Sequence, residues 1–295
     1  MTLAKPSSTP LITRRRLLKG GLLGAAALAL YSAEIERHWV EERFIDVHLR
    51  GLPSALEGLR IVQLSDIHLE SYTEAFFLRH VVGKINALKP DVVLLTGDFV
   101  SSGPWSIQSS VKAAWECGEI LSELHCLERY AILGNHDAVV GSDDVIAALA
   151  ARRIPVLKNS FLPIERPGGR MWLAGVDDPL FGQPNPDRAV PAEIRHQAEE
   201  PVILMAHEPD YVDELLKRES GKAVDLVLSG HTHGGQIRIP FVGPIVLPEM
   251  GKKYVEGLFH LGATQLYVSC GIGAVGVPFR FACPPELTQI TLHRG

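Results

Sequence analysis

The sequence has 295 residues, 46% of them hydrophobic and 21% charged, which is typical of a globular protein with a sizeable core in one or two domains. Residues 1–33 hold five basic residues and no acidic one, so removing them moves the formal charge from −5 to −10. An acidic body is poorly suited to long polyanions, whose binding requires clustered Lys and Arg, and we expect no specific nucleic-acid substrate.

The N-terminal segment has the pattern of an export signal. Basic residues precede an apolar stretch at 20–33, which is shorter than the ~20 residues of a membrane span but suits a signal. The run TRRRLLK at 13–19 resembles the twin-arginine signal, which is read by the machinery that exports folded proteins. We therefore predict that 1–33 is a signal or an uncleaved anchor, although a basic amphipathic tail is the alternative. We expect the body to lie in the periplasm or cell envelope, where it can contact the membrane surface. We also expect it to be a monomer.

The four cysteines lack the CxxC spacing of a zinc or redox site; they are Cys117, Cys126, Cys270 and Cys283. Outside the cytoplasm a disulfide is allowed, but the spacing identifies no pair. Buried free thiols are the favoured interpretation.

After a lead-in at 34–58, short apolar runs alternate with segments of helical periodicity, which predicts an α/β fold with enough strands for two sheets. The predicted strands are LRIVQLSD, DVVLLTGD, YAILGN, PVLKNS, MWLAGVDD, PVILMAHEPD, DLVLSGHTHGG, TQLYVSCG and LTQITLHR. The predicted helices cover 73–88, 108–124, 191–199 and 211–219.

Five polar clusters directly follow predicted strands: Asp66-Ile67-His68, Gly97-Asp98, Gly134-Asn135-His136-Asp137, His207 and Gly230-His231-Thr232-His233. Each cluster alone is weak evidence, because a strand-end Asp is often a cap and a lone His is often a core residue. Ligand sites in α/β sheets lie beyond the carboxyl ends of strands, so all five can meet at one edge. Mixed imidazole and carboxylate donors favour Mn, Fe, Zn, Co or Ni over Mg or Ca.

Taken together, the clusters D-x-H, G-D, G-N-H-D, H and G-H-x-H resemble those of the calcineurin-like metallophosphoesterases, over about residues 59–293. The stretches GHTHGGQIRIP, GKKYVEGLF and PFRFACPPELTQITL are similar to the exported or membrane-associated bacterial branch of that family. The resemblance implies an α/β fold with a four-layer α/β/β/α sandwich of two mixed sheets, forming one domain over 59–295. It also implies two divalent metal ions at the strand ends.

The resemblance assigns seven metal ligands by motif position. The first ion would take Asp66, His68 and His233. The second ion would take Asn135, His207 and His231. Asp98 would bridge the two ions. Alternate residues of an extended segment point the same way, which accounts for the spacing of two in each pair; since His231 and His233 serve different ions, their segment is expected to be irregular.

The G-N-H-D cluster is also assigned the catalytic residues. His136 would face the phosphate as a general acid or as an electrostatic clamp. Asp137 would orient and charge that imidazole from behind, or alternatively would cap a helix that begins near Ser142. The glycines of the clusters are expected where backbone passes close to metal or phosphate: Gly97, Gly134 and Gly230.

Three further features carry alternatives. Asp177 and Asp178 are interpreted as turn-forming rather than as lining the cleft. Arg280 is interpreted as a structural salt bridge rather than a contact to substrate phosphate. The apolar stretch at 241–254 is a lid, a membrane-facing loop or a packed connection.

The leading hypothesis is a binuclear metal-dependent phosphodiesterase with His136 and Asp137 as catalytic residues, acting on a small-molecule or lipid phosphodiester. Two cations would neutralise the phosphate oxygens and lower the pKa of a bound water, which addresses both obstacles to the hydrolysis of an anionic ester. One alternative is a pyrophosphatase acting on a nucleotide-linked lipid of the UDP-diacylglucosamine type. Another is a non-catalytic scaffold, against which the presence of His136 argues.

Overall fold

The computed structural model describes residues 13–70, 72–103, 106–195 and 200–295. Two mixed β-sheets pack face to face. The first has the strand order β1-β13-β2-β3-β4, with bounds Glu41–Leu49, Glu286–Arg294, Arg60–Leu64, Val92–Leu95 and Arg129–Ala131. The second has the order β11-β12-β8-β7-β6-β5, with bounds Gly257–Leu261, Thr264–Val268, Leu226–Ser229, Val202–Met205, Gly169–Gly175 and Ser160–Arg166. A small antiparallel hairpin joins β9 (Arg238–Ile239) to β10 (Gly243–Pro244).

Helices cover the outer faces of both sheets, except for the N-terminal helix, of which no residue is buried. They are α1 (Arg14–Leu30), α2 (Ala75–Leu88), α3 (Ile107–Leu121), α4 (Asn135–Ala150), α5 (Pro186–Ala189), α6 (Val212–Leu215) and α7 (Glu219–Lys222). One core joins α2, α3 and α4 to the first sheet, a second fills the space between the sheets, and a third joins α6 to the second sheet. These three cores confirm the predicted four-layer α/β/β/α sandwich.

The parallel strands account for the position of the site. In the first sheet β2, β3 and β4 are parallel neighbours, and in the second sheet β7 and β8 are parallel neighbours. Four of these strands, β2, β3, β7 and β8, have four or five mostly apolar residues with almost no alternation in burial, as expected when both faces of a sheet are covered, and β4 has three residues. Their carboxyl ends therefore present the following polar residues at one edge of the sandwich.

Several predicted elements differ from the observed ones. The lead-in at 34–58 contributes β1, which pairs in parallel with β13 and was not predicted because its outward positions are charged, as is common at a sheet edge. No strand forms at PVLKNS; the next strand is β5. The predicted helix at 211–219 is divided into α6 and α7, and at 191–199 only the 3₁₀ turn Ala192–Ile194 is described, residues 196–199 lying outside the described ranges.

The N-terminal helix is longer than its apolar sequence stretch. After α1 the chain continues through a π-helical turn (Tyr31–Ile35) and a 3₁₀ turn (Glu36–His38). The resulting helix of 25 residues is long and apolar enough to cross a membrane by length and composition. Flanking residues therefore extend the helix beyond the apolar stretch, and the helix is compatible with either a signal or an anchor.

All four cysteines are free thiols, as predicted, and Cys117, Cys270 and Cys283 are buried whereas Cys126 is half-buried.

The core between the sheets predicts a large stability effect for truncation of Ile203, which is fully buried. Ile203→Ala should lower the free energy of unfolding by about 2–5 kcal/mol, because it removes buried methyl groups and leaves a cavity. Urea unfolding followed by circular dichroism measures the change. Leu127→Ala is the control, since Leu127 is 88% exposed, and it should stay within about 0.5 kcal/mol of the parent. Equal effects of the two substitutions would contradict the assignment of this core.

Candidate metal centre

The five predicted clusters meet at the edge where the parallel strands end. Asp66 and His68 follow β2, Asp98 follows β3, and the G-N-H-D cluster opens α4 shortly after β4. His207 follows β7, and the G-H-x-H cluster follows β8. Residues from both sheets thus surround one buried centre.

One group of potential ligands contains Asp66, His68 and His233, whose donor atoms all lie within 4.8 Å of one another. His233 Nε2 is 3.5 Å from Asp66 Oδ1 and 3.1 Å from His68 Nε2. All three side chains are buried. This is the set predicted for the first ion.

A second group contains Asp98, His207 and His231, again with donor atoms within 4.8 Å of one another. The carbonyl oxygen Oδ1 of Asn135 joins this group, 3.0 Å from His231 Nδ1. Asp98 lies between the two groups. Its Oδ2 is 3.1 Å from His207 Nε2 and 3.5 Å from His68 Nε2. The structure therefore brings all seven predicted ligands together, and their coordination of ions stays a prediction.

The hydrogen bonds of these imidazoles show that a cation fits. His207 Nδ1 donates to Thr96 O (2.6 Å), so Nε2 of the neutral ring carries a lone pair; it faces the Asp98 carboxylate and forms no hydrogen bond with any described residue. His231 Nε2 likewise donates to Glu249 O (2.7 Å), which turns the lone pair of Nδ1 toward the Asn135 carbonyl. Two opposed lone pairs repel each other unless a cation or proton lies between them.

The protonation states of two imidazoles suit metal binding, whereas His207 holds a proton that a metal ion would have to displace. Burial lowers the pKa of His68 to about 3 and that of His231 to about 4, so both rings are neutral near pH 7 and can donate a lone pair. Burial raises the pKa of Asp66 to about 6. Burial opposes charge on Asp98 and His207 as well, but their mutual attraction outweighs it, holding the pKa of Asp98 well below and that of His207 well above the usual value.

The backbone that carries the ligands is strained. Five of the ligand residues have left-handed φ values between 50° and 72°: Asp66, His68, Asp98, His231 and His233. Such φ values are uncommon for residues other than glycine, and they concentrate at functional sites. The expected irregularity at the last pair is confirmed, but the extended geometry expected for the first pair is wrong, because β2 ends at Leu64 before both residues.

The predicted close approaches of backbone are found at all three glycines, and at Gly230 an added Cβ would collide with Ser65 Oγ and Asp66 Oδ2. A Cβ added at Gly134 would lie 2.7 Å from Asp98 N and His207 Nε2. A Cβ added at Gly97 would lie 2.7 Å from Gly134 N and His207 Nδ1, and Gly97 also has a φ of +97°. Any larger residue would therefore displace the ligands themselves.

His136 is half-buried and lines the cavity above the ligands. Its Nδ1 accepts from the backbone N–H of Ser102 (3.0 Å) and lies 2.9 Å from the Ser102 hydroxyl. Because Nδ1 accepts, the neutral ring carries its proton on Nε2, which is then the donor available to a substrate. Ser102, which no sequence motif indicated, therefore fixes the tautomer of His136.

Asp137 does not have the predicted contact with His136. Its carboxylate accepts four backbone hydrogen bonds, from Asp98 N (2.8 Å), Phe99 N (2.9 Å), Val100 N (3.3 Å) and Gly134 N (3.0 Å). The prediction that it orients the imidazole is wrong in this geometry. The alternative of a helix cap is correct in kind but not in place: through Gly134 N, Asp137 caps the start of α4 at Asn135 and not the segment that follows the kink at Gly141. Asp137 is a positioning residue that joins the loop after β3 to the start of α4.

Arg280 is fully buried and donates to backbone carbonyls, among them Gly273 O (2.9 Å from Nε), Cys270 O (2.9 Å) and Gly271 O (3.0 Å). No ion pair with a carboxylate is present among the described residues, so the expected salt bridge is wrong. Arg280 instead organises the loop behind His233.

Asp177 and Asp178 form a turn, as predicted. Asp177 accepts from Asp178 N (3.0 Å) and Gln183 N (2.9 Å), and Asp178 accepts from Phe181 N.

Sequence reasoning also missed Glu208, which follows His207 in MAHEPD. It is fully buried, and neither carboxyl oxygen has a hydrogen-bond partner among the described residues. Burial raises its pKa well above the usual value, and its Oε1 is 4.0 Å from His231 Nδ1. The sequence signal that could have identified Glu208 is its position: a charged residue directly follows a buried strand and the candidate ligand His207.

Comparison with known proteins confirms the resemblance. Residues 59–235 match the calcineurin-like phosphoesterase family. The chain is 33% identical to the uncharacterized metallophosphoesterase YkuE of Bacillus subtilis, covering 95% of this chain and 98% of that protein. It is 31% identical to the phosphodiesterase YaeI of Escherichia coli, covering 96% and 100%. A solved dimetal phosphatase from Danio rerio is similar over 73% of this chain and 88% of that one, with 12% identity and a TM-score of 0.49.

The contacts of Asp137 predict a loss of stability when one of its two acceptor oxygens is replaced. Asp137→Asn should lower the free energy of unfolding by about 1–3 kcal/mol, because the amide NH₂ would oppose backbone N–H donors. Thermal and urea unfolding of the apo protein measure the change. Asp143→Asn is the matched control on the exposed face of the same helix and should have little effect. Unchanged stability of Asp137→Asn would show that the four backbone bonds do not hold the loop.

The raised pKa of Asp66 predicts the pH dependence of metal binding. Affinity for Mn²⁺ or Zn²⁺ should weaken as the pH falls through about 6, because protons then compete for the Asp66 carboxylate, whereas His68 and His231 stay neutral. Calorimetric titration of the apo protein with metal between about pH 7 and pH 5 measures it. Asp66→Asn should bind more weakly and lose this dependence. An affinity that is flat over this range in the parent would contradict the assignment of Asp66 as a ligand.

Proposed function

Because the chain belongs to the calcineurin-like metallophosphoesterase family, we propose that it is a metal-dependent hydrolase of phosphodiesters. The observation that carries the proposal is the pair of ligand groups that meet at Asp98, one from each side of the buried centre. Bound divalent cations would neutralise phosphate charge and acidify a water molecule there. Asp66, His68 and His233 would hold one ion, Asn135, His207 and His231 the other, and Asp98 both.

His136 would supply the proton for the leaving group. In hydrolysis the oxygen of water forms a bond to phosphorus, one P–O ester bond breaks, and the leaving oxygen takes a proton. To act as an acid the ring must be the imidazolium, with Nδ1–H donating to the Ser102 hydroxyl 2.9 Å away and Nε2–H available to the leaving oxygen in the cavity; after the transfer it is the neutral ring whose Nδ1 accepts from Ser102 N. The proton of the attacking water passes to solvent, from which His136 regains its own. The products are an alcohol and a phosphomonoester.

The lining of the cavity favours diesters over monoesters. None of the described lining residues is Lys or Arg, and one wall is apolar. A monoester carries up to two negative charges and a single organic group, whereas a diester carries one charge and two organic groups. A cavity that offers no fixed cation and much apolar surface suits the diester. The relative YaeI is likewise named a phosphodiesterase.

The N-terminal helix supports a location at the cell envelope. The length of its apolar part suits a signal or anchor. The basic residues in the first turns of the helix precede that apolar part, as in the twin-arginine pattern. We propose export of the body by the twin-arginine machinery, with the helix as a signal or retained anchor.

Two substrates test the reaction. Metal-loaded protein should hydrolyse a bis-aryl phosphodiester with a kcat/KM at least tenfold above that for the matching aryl monoester. Preference for the monoester would overturn the diester assignment. If neither the Mn²⁺-loaded nor the Zn²⁺-loaded protein hydrolyses either substrate, the proposed activity is overturned.

Substitution of His136 tests its role as an acid. His136→Ala should lower kcat by about 10²- to 10⁴-fold for a diester with an alkyl leaving group, which requires protonation. The loss should be much smaller for an aryl leaving group, which departs without a proton. His125→Ala, at an exposed imidazole outside the site, should change neither rate. Equal losses on both substrates would contradict acid catalysis and favour the electrostatic clamp.

A further inference from the structure

The hairpin that carries β9 and β10 exposes apolar side chains to solvent. We call residues 237–248 the apolar hairpin. Phe241 is fully exposed at its tip, and Val242, Val246 and Ile245 are 79%, 73% and 58% exposed. The hairpin is ordered by its own backbone bonds, Val242 N to Ile239 O (3.0 Å) among them. The packed-connection interpretation is therefore wrong for 241–246, although Met250 and Tyr254 of the same stretch pack in the third core. Contiguous exposed apolar side chains of this kind mark an interaction surface.

The apolar hairpin is also one wall of the cavity above the metal centre. This cavity of about 440 Å³ is lined by Ile237, Ile245, Val246 and Pro248 of the hairpin and by the segment 275–277, which Gln236 bonds to the root of the hairpin. The floor carries catalytic and ligand residues, His136 and His231 among them. A ligand whose phosphate lies on this floor would thus have its organic group between apolar walls.

The N-terminal helix joins the body beside the hairpin. Ser32 O accepts from Arg280 N (3.2 Å), and the buried Glu36 carboxylate accepts from Cys283 N (2.9 Å). Between these two points Phe281 bonds the hairpin: its N–H donates to Gln236 O (3.0 Å), and its carbonyl accepts from Arg238 N (2.9 Å). The base of the helix and the root of the hairpin are therefore attached to consecutive residues, about 4 Å apart along the chain.

The base of the helix is also connected, through Tyr72, to Gly276 of the cavity lining. Arg37 Nη1 donates to Tyr72 O (2.9 Å), and the Tyr72 hydroxyl donates to Gly276 O (3.2 Å). Helix base, apolar hairpin and cavity mouth thus lie on one edge of the body.

The helix itself has the dimensions of a span. No residue of α1 is buried against the body, so its apolar side chains have no protein partner among the described residues. From Leu17, which follows three arginines, to Ser32 it rises about 23 Å at 1.5 Å per residue, which is most of the ~30 Å of a bilayer core. Exposed Tyr31 and Trp39 stand at its body end, where aromatic residues favour the membrane interface.

From this geometry we infer that the substrate is a membrane phospholipid, whose phosphodiester reaches the metal centre while an acyl chain lies between the apolar walls of the cavity. The tip of the apolar hairpin enters the same leaflet in which the helix ends. Hydrolysis breaks one P–O ester bond of the lipid with addition of water. The inference rests on the proposed diesterase activity.

The experiment uses the full chain, metal-loaded and reconstituted in phosphatidylcholine vesicles with phosphatidylglycerol. Turnover of phosphatidylglycerol is compared with that of glycerophosphoglycerol, its deacylated and water-soluble form, and with that of a bis-aryl diester. We expect kcat/KM for the lipid to exceed that for the deacylated form at least tenfold. Equal or lower turnover of the lipid would overturn the inference, whereas loss of aryl-diester turnover as well would overturn the proposed function.

A paired substitution separates the hairpin tip from the chemistry. Phe241→Ser with Val242→Ser should lower lipid turnover at least tenfold and leave aryl-diester turnover unchanged, because neither residue lines the cavity. The matched control, Leu127→Ser, removes an equally exposed apolar residue far from the site in sequence and should change neither. Unchanged lipid turnover in the paired variant would contradict membrane entry. A dimer that the paired substitution dissociates in sedimentation would assign the hairpin to a second copy of the chain and overturn the inference.

Discussion

The buried Asp98 carboxylate is the charge around which the site is organised. It is 1% exposed, with Oδ1 accepting from His136 N (2.9 Å) and Oδ2 turned toward the lone pairs of two imidazoles. A buried charge is tolerated only when a partner compensates it. Neutral His68 cannot do so, which leaves a proton shared with His207 or a cation as the compensating charge. The residues that follow five strand ends surround this carboxylate, and the imidazoles that burial keeps neutral, His68 and His231, offer lone pairs to a compensating cation.

The loops around this centre have strained backbone, and two buried side chains, Asp137 and Arg280, form hydrogen bonds with that backbone. Asp137 collects four backbone N–H donors from the loop after β3 and from the start of α4. Arg280 collects backbone carbonyls from the loop behind His233. Each side chain replaces the hydrogen bonds that a regular strand or helix would have given these irregular segments. The surrounding hydrogen bonds stabilise the left-handed φ values of the ligand residues.

The location of the site was predictable from sequence, whereas its supporting contacts were not. Unbroken apolar runs identified β2, β3, β7 and β8 as buried parallel strands, and the polar residues after each run then had to share an edge. The partners of Asp137, Ser102 and Arg280 depend on loop conformations, which local periodicity does not encode. The edge strand β1 was missed for a related reason: its pairing with β13 joins residues from opposite ends of the chain. The π and 3₁₀ turns that lengthen the N-terminal helix likewise contain charged residues that end the apolar pattern.

The same edge strand links the N-terminal helix firmly to the catalytic body. β1 begins at Glu41, three residues after the helix ends at His38, and pairs with β13 along its whole length, from Glu41 opposite Glu286 to Leu49 opposite Arg294. The bonds from Ser32 and Glu36 to the segment 280–283 add a second attachment on the other side of that short connection. A helix held at two places cannot swing freely as it would on a flexible linker. A bilayer that contains the helix therefore fixes the orientation of the cavity mouth, so that an acyl chain and its phosphate approach the centre from one direction.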